Sequence, residues 1–442
     1  MIIELLPIIL LGCIAGIIAG FIPGVGVFVT MTLLYPWLLS MDGMQLLTFY
    51  VALASTTQYI GSISATVFAV PGETSSLPAV KEGHAMFLQG QGGLAISGAA
   101  IGSFFGSLLI LCICFLFYPY LEKISLLYNT YLQAVVLFFV AVLICMATEH
   151  PGKSFILAIS GYLLGLIGCR DIDGKCFYTF NDPDLMSGLP LLPVIVAIYI
   201  FPKLLKSYNF NSTLLERKTI ENNFIDHAIY FSKNWVTVIR SSVVGFLAGF
   251  TPGVSTTISA NLAYTLEKHI QMKKKVYKEG DYRSLIAAET ANNAGAFSCL
   301  LPLLILGIPI VPSEALLYEI ASAKGFIFGQ NFTIEDFKFL AIVLVIVNLI
   351  ALSVAWPFAK YVCLLHKIPL KILNILIFIS LIGVMYIAGD KLFQSGYYLI
   401  VFFTLLPIGY MLRNYNTLPL IFTFVVQTRL DVVAIRIGDF LK

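Results

Sequence analysis

Residues 16–25 read GIIAGFIPGV, and residues 245–254 read GFLAGFTPGV. Seven of these ten positions match at a constant offset of 229, including both glycines and the Pro-Gly pair. Leu33 and Tyr35 match Leu262 and Tyr264 at the same offset. Apolar segments resemble one another by chance, but chance rarely keeps the glycines and Pro-Gly together, so the match reads as an internal repeat. It continues more weakly. Gln58, Gly61, Ser62 and Ser64 lead to Pro71-Gly72-Glu73 in the first half. Glu289, Asn292, Asn293, Gly295 and Ser298 lead to Gly307-Ile308-Pro309 in the second. Each half thus carries two apolar segments broken by glycine and proline, the pattern of a transporter site built from discontinuous helices.

Composition supplies the solvent. The chain has 442 residues, 59% hydrophobic and 12% charged, with a mean hydropathy of +0.90. A soluble domain carries roughly 25% charged residues, and half of that leaves too little polar surface for water. Apolar runs of helix-spanning length recur, and no alternating lipid-out, polar-in pattern speaks for a β-barrel. The expected fold is an all-α polytopic membrane protein of about 10–12 helical spans. It contains two structural repeats with broken or re-entrant helices, inverted relative to each other and moving in the elevator manner. Residues 1–206 form the first half, 207–234 a cytoplasmic linker and 235–442 the second half. The start, Met1-Ile-Ile-Glu, lacks a basic n-region and predicts an uncleaved first helix.

Basic residues gather in loops, Lys273-Lys274-Lys275 above all, as positive-inside anchors rather than a nucleic-acid surface. The loops 203–233 and 268–283 are the two most basic, and an apolar stretch of about 30 residues divides them. If both are cytoplasmic, that stretch enters and leaves on one side and turns near Pro252-Gly253. The eight cysteines read as small buried side chains, with only Cys169 and Cys176 near a polar loop. The five histidines show no ligand spacing, and the Asp171/Asp173 loop lacks a calcium pattern.

Unwound backbone at membrane depth must be satisfied by protein, water or ligand. The freed N–H groups of a half-helix N-terminus suit a carboxylate. The substrate tips are therefore Pro23, Gly24, Val25 and Gly26 in the first half and Pro252, Gly253, Ser255 and Thr256 in the second. Gly16, Gly20, Gly245 and Gly249 read as close-packing positions. Ser62 and Ser64, with Asn292 and Asn293, are further substrate-binding candidates. Glu73, Thr257 and Glu289 are candidates for the coupling ion: the two carboxylates because ionisable groups at this depth are costly and seldom idle, Thr257 because it continues the polar character past TPGVS. No catalytic residue, resident metal or cofactor is expected; no G-x-S-x-G, H-E-x-x-H or Asp-rich motif is present.

These stretches resemble the large membrane subunit of the bacterial tripartite tricarboxylate transporters. The likeness is carried by GIIAGFIPGVG (16–26), QYIGSISATVFAVPGETSS (58–76) and KEGHAMFLQGQGG (81–93). It continues through GFLAGFTPGVSTTIS (245–259), AAETANNAGAFSCLLPLLILGIP (287–309) and LPIGYMLR (406–413). Ser255 stands where the family pattern often has a further glycine, and the chain is short after about residue 310. The resemblance implies a secondary transporter of a di- or tricarboxylate in the bacterial inner membrane, driven by Na+ or H+. It also implies a periplasmic solute-binding protein and a small four-helix membrane subunit as partners. If a binding protein delivers substrate, docking is expected on extracytoplasmic loops such as 171–187. A stand-alone carrier of another organic anion, a channel and a membrane enzyme are the competing classes.

Overall fold

The computed structural model describes residues 2–22, 25–69, 73–125, 130–146, 148, 150–170, 174–208, 224–330, 332–365, 370–390 and 395–431. In the first half α1 (Ile2–Phe21) turns into α2 (Gly26–Leu33) and α3 (Tyr35–Leu38). There follows α4 (Gly43–Phe68), then a 3-10 turn (Thr74–Ser76) and a π segment (Ala79–Gly83) running into α5 (His84–Leu88). Next come α6 (Gly92–Ser125), α7 (Thr130–Met146) and α8 (Pro151–Gly165). A small hairpin, β1 (Gly168–Cys169) and β2 (Cys176–Phe177), precedes α9 (Pro183–Met186). The half closes with α10 (Leu191–Ile195), which passes through a π turn (Val196–Ile200) into α11 (Phe201–Tyr208). Of the proposed linker, 209–223 lies outside the described residues, while α12 (Phe224–Ser232) is a short helix.

The second half runs α13 (Trp235–Gly249), α14 (Ser255–Lys273), α15 (Tyr282–Leu306), α16 (Pro312–Ala323), α17 (Ile334–Leu365), α18 (Leu370–Asp390), α19 (Ser395–Met411) and α20 (Leu418–Val425). The fold is all-helical apart from the hairpin among the described residues. Among the described residues, four stretches are long and apolar enough to cross a membrane unaided: Glu4–Phe21, Gly92–Phe117, Glu335–Ala355 and Gly396–Asn414. Shorter apolar helices surround them. Large apolar side chains stay exposed on their outer faces, Leu116, Ile156, Phe139 and Ile400 among them. In water such a surface would aggregate; in lipid it is solvated.

Small residues set the closest helix pairs. A Cβ on Gly16 would meet Leu53 O at 2.7 Å and Thr56 Cβ at 2.8 Å, so α1 lies directly on α4. On Gly245 it would meet Ala291 Cα at 2.7 Å, and on Gly249 Gly295 Cα at 2.8 Å, which lays α13 on α15 in the same manner. These are the packing positions read from the sequence. Between the halves the pairing is crossed: α6 packs on α15, and α17 packs on α4.

α13 and α14 form a hairpin. Near its open end the Glu267 carboxylate, buried, accepts from Arg240, from Thr237 Oγ1 at 3.3 Å and from Gln271 Nε2 at 2.6 Å. The far end turns at 250–254, at the Pro252-Gly253 pair where the sequence placed a turn. Fifteen residues of α13 reach only about 22 Å, short of a hydrocarbon core of about 30 Å. A second clamp joins the halves. Glu82, buried in the π segment, accepts from Tyr264 and Tyr277 hydroxyls at 2.8 Å each, and from the backbone N–H groups of Gly280 and Asp281 at 2.9 Å.

One expectation is corrected here. Cys169 and Cys176, read as ordinary small side chains, are disulfide-bonded. They face each other across the antiparallel pair β1–β2, which brings their Cα atoms within 3.9 Å. The remaining described cysteines, Cys13, Cys112, Cys114, Cys145 and Cys299, are free thiols.

Candidate functional site

Between the two halves lies a cavity of about 890 Å³. The breaks in the helices build it. The α1–α2 turn brings Val25 and Gly26 to its wall, and the α13–α14 turn brings Gly253, Val254, Ser255 and Thr256. The later break in each half adds a carboxylate, Glu73 after α4 and Glu314 in the first turn of α16. Gly26 at φ +55° and Gly253 at φ +88° hold left-handed backbone that a Cβ would strain. The breaks after α4 and α15 share a geometry too: Ala69 (φ 55°, ψ 24°) and Gly307 (φ 62°, ψ 30°) both close their helices in the left-handed region.

The two early turns differ in one respect. At the first, Glu73 Oε1 accepts the Val27 N–H at 3.3 Å, so a protein carboxylate already sits on the N-terminus of α2. At the second, Gly253 donates to Ile310 O at 2.7 Å, while the N-terminus of α14 has no side-chain cap. The opening N–H groups of a helix have no partner within it and carry about half a positive charge. A ligand carboxylate placed against Ser255 and Thr256 would supply the missing acceptors.

Charge at the rim favours the same ligand. Lys153, Lys203 and Arg413 line the cavity with His150, Asn414 and Asn416. Lys203 Nζ donates to Tyr199 OH at 2.6 Å, Lys153 lies over the Tyr415 ring and Arg413 over that of Tyr410. The aromatic neighbours hold the long cationic side chains in place, and the Lys203 charge also acts on the Glu73 carboxylate in the same cavity. At the inner end Glu314 is buried; it accepts from Ile310 N–H at 3.0 Å and lies 3.1 Å from the Cys299 thiol. Tyr50 OH meets Ser313 Oγ at 3.1 Å beside it.

The sequence candidates distribute as follows. Val25, Gly26, Glu73, Gly253, Ser255, Thr256, Thr257 and Asn293 line the cavity. Pro23 and Gly24 lie outside the described residues, as do Pro71, Gly72, Asp171 and Asp173. Pro252 is buried in the second turn without reaching the cavity wall. Ser64 is buried and donates to Gly61 O at 2.9 Å and Gly20 O at 3.2 Å. Ser62 donates to Glu289, and with Asn292 these form a buried group away from the cavity wall. Asn293 Nδ2 donates to Ser103 Oγ at 2.7 Å.

Sequence reasoning missed Lys153, Lys203, Arg413 and Glu314. The cations resemble any loop-end anchor in sequence, and only the convergence of α8, α11 and the turn after α19 sets them around one opening. Glu314 had a signal, since it stands five residues after Pro309 as Glu73 stands two after Pro71.

Comparison with known proteins bears on the same residues. The family model described as "Tripartite tricarboxylate transporter TctA family" matches residues 6–422. An uncharacterized 52.8 kDa protein in the TAR-I ttuC′ 3′ region of Agrobacterium vitis is 26% identical over 325 residues, 72% of this chain and 64% of that protein. An uncharacterized protein in the TAR-II ttuC′ 3′ region of the same organism is 31% identical over 87 residues, 20% of this chain and 36% of that one. An uncharacterized protein of Methanocaldococcus jannaschii is 23% identical over 425 residues, covering 92% of this chain and 93% of its own. The chain thus spans less than two thirds of the length of both Agrobacterium relatives. No solved structure matches it.

Proposed function

We propose that this chain, which belongs to the tripartite tricarboxylate transporter TctA family, is the multi-pass subunit of a secondary transporter that takes up a di- or tricarboxylate. A Na+ or H+ gradient drives it. The observation that carries this reading is the cavity between the two halves, where an uncapped helix N-terminus faces a rim of Lys153, Lys203 and Arg413. One terminus and three cations are suited to a ligand with two or three carboxylates. Glu73 and Glu314 at the inner wall repel a ligand carrying more negative charge than the rim compensates.

In this reading the two halves are an inverted repeat. Its support lies in the element order: a close-packed helix, a turn, a broken helix and then a long helix, α6 in one half and α17 in the other. The broken helices run in opposite directions. Gly43, at the start of α4, lies against Phe326, just beyond α16. Gln89, just beyond α5, donates to Glu279 O at 3.0 Å, just before α15. Two antiparallel broken helices around one site fit alternating access.

Orientation follows from charge and redox chemistry. The basic loops before α13 and after α14 belong on the cytoplasmic face of the bacterial inner membrane, and the Cys169–Cys176 hairpin on the oxidising face. A periplasmic solute-binding protein would dock on that second face, with the exposed Tyr178 and Phe180 beside the hairpin within reach; a small four-helix subunit would complete the assembly. The test is uptake of radiolabelled citrate and dicarboxylates into proteoliposomes, with and without a cation gradient and the cognate binding protein. Uptake requiring both supports the reading. Absence of carboxylate uptake under every gradient refutes it.

A further inference from the structure

Behind the cavity wall, between α4 and α15, lies a buried polar cluster of which Gln58 reaches the cavity while Ser62, Glu289 and Asn292 do not. Glu289 and Asn292 are 0% exposed, Ser62 is 3% exposed and Gln58 6%. Ser62 donates its hydroxyl to Glu289 Oε2, and the Asn292 side chain, one helical turn on, lies beside the Glu289 carboxyl without closing a hydrogen bond of normal geometry. Gln58 precedes Ser62 by one turn on the same face of α4. Among the described residues no Lys, Arg or His forms an ion pair with Glu289. Protein atoms make no hydrogen bond to Glu289 Oε1, to either end of the Asn292 amide or to Gln58 Oε1. Each such buried orphan costs about 1–3 kcal/mol, and an unpaired buried charge more.

We propose that Gln58, Ser62, Glu289 and Asn292 bind one monovalent metal cation, Na+. A single Na+ collects the Glu289 carboxylate, the two amide oxygens and a lone pair of the Ser62 hydroxyl, and so satisfies all the orphaned acceptors together. A proton on Glu289 would satisfy one acceptor and leave the other amide oxygen orphaned. Calcium favours more carboxylates than the one present, and a set made only of oxygens does not suit a transition metal. Because both ends of the Asn292 amide lack partners, turning its oxygen toward the cation breaks no bond. The position gives the ion a purpose, which rests on the reading of the chain as a cation-coupled transporter. Gln58 and Asn293 line the cavity, and Asn293 follows Asn292 on α15. A cation drawing α4 and α15 together therefore fixes the wall against which the carboxylate binds.

The test uses the full chain in lipid nanodiscs, with NaCl exchanged for choline chloride at constant ionic strength. Saturable binding of radioactive Na+ and a Na+-dependent rise in Tm are expected for the wild type. Glu289→Gln and Asn292→Ala should each weaken the apparent Na+ affinity about tenfold or more, a loss of about 1.4 kcal/mol or more. Asn292→Asp, which adds a second carboxylate, should make the protein respond to Ca2+, a gain that a misfolded variant cannot imitate. An equal Na+ response in wild type and Glu289→Gln would overturn the proposal. So would no Na+ response at all with stabilisation on acidification, which would make Glu289 a proton carrier. Na+ binding without carboxylate uptake in proteoliposomes would sink the transport reading and leave this site standing; uptake without Na+ binding would do the reverse.

Discussion

Gly253 and Ala69 occupy comparable backbone regions for opposite reasons. Gly253, at φ +88° in the α13–α14 turn, sends its N–H to Ile310 O, and a Cβ there would meet Leu418 Cδ2 at 3.0 Å and Ile144 Cγ1 at 3.3 Å. Leucine at 253 would add left-handed strain of about 1–2 kcal/mol and push into the cavity wall. Gly253→Leu is expected to insert and remain monodisperse while uptake falls to background; wild-type uptake would reduce the residue to packing alone. Ala69 holds φ 55° with a Cβ, where Gly307 closes the corresponding helix without one. Ala69→Gly should therefore stabilise the fold by about 1 kcal/mol, read as a rise in Tm, because glycine removes that strain at a helix end. Lower stability would mean that the Ala69 methyl packs more than it strains.

Hairpins and clamps act at the next scale up. Glu267 ties the open end of α13–α14 through Arg240, Thr237 and Gln271, so Lys233 before the hairpin and Lys275 after it lie on one face. Cysteines placed at 233 and 275 should react with an impermeant thiol reagent from the same side of the membrane, and labelling from opposite sides would break the hairpin. The Glu82 clamp joins the π segment of one half to the loop ahead of α15 in the other. Glu82→Ala would strand two backbone donors and two tyrosine hydroxyls, at about 1–3 kcal/mol for each that water cannot reach. It should lower Tm more than Glu82→Gln, which keeps an acceptor oxygen. Much of this scale was legible in sequence. The doubled Pro-Gly motif located both early turns, where Gly26 and Gly253 hold left-handed backbone, and two basic loops flanking one apolar stretch pointed to the hairpin. Glu82 was not legible as a clamp: its partners stand about two hundred positions away and include backbone atoms, which no spacing reveals. The Cys169–Cys176 bridge escaped for a related reason, since the pair depends on a two-residue strand register rather than on composition.

For the molecule as a whole, the crossed packing of α6 on α15 and α17 on α4 makes each half the support of the other's broken helix. The cavity between them is open at one end. Its exposed lining residues are His150, Lys153, Lys203, Asn414, Tyr415 and Asn416, whereas Tyr50 and Glu314 deeper in are buried. α8 starts beside that opening at Pro151 and ends at Gly165, just before the disulfide hairpin. α20 likewise starts at the cavity with Leu418, and Asp431 beyond it accepts from Tyr162 OH at 2.7 Å and lies 3.8 Å from Arg170 of the hairpin. The opening and the hairpin therefore sit at opposite ends of the same two helices. If the hairpin faces the oxidising side, the cavity opens toward the cytoplasm, which for the carrier proposed above is an inward-open state. Cysteine at Asn416 should then be labelled only from the face that labels position 275, with substrate slowing the reaction, and cysteine at Tyr178 only from the other face. Labelling of 416 and 178 from a common side would remove both the orientation and the inward-open assignment. The rim cations give a second reading of the same state. Lys153→Ala, Lys203→Ala and Arg413→Ala should each raise KM with little change in kcat. Added salt should shrink the difference from wild type, because attraction between exposed charges is screened over about 8–10 Å.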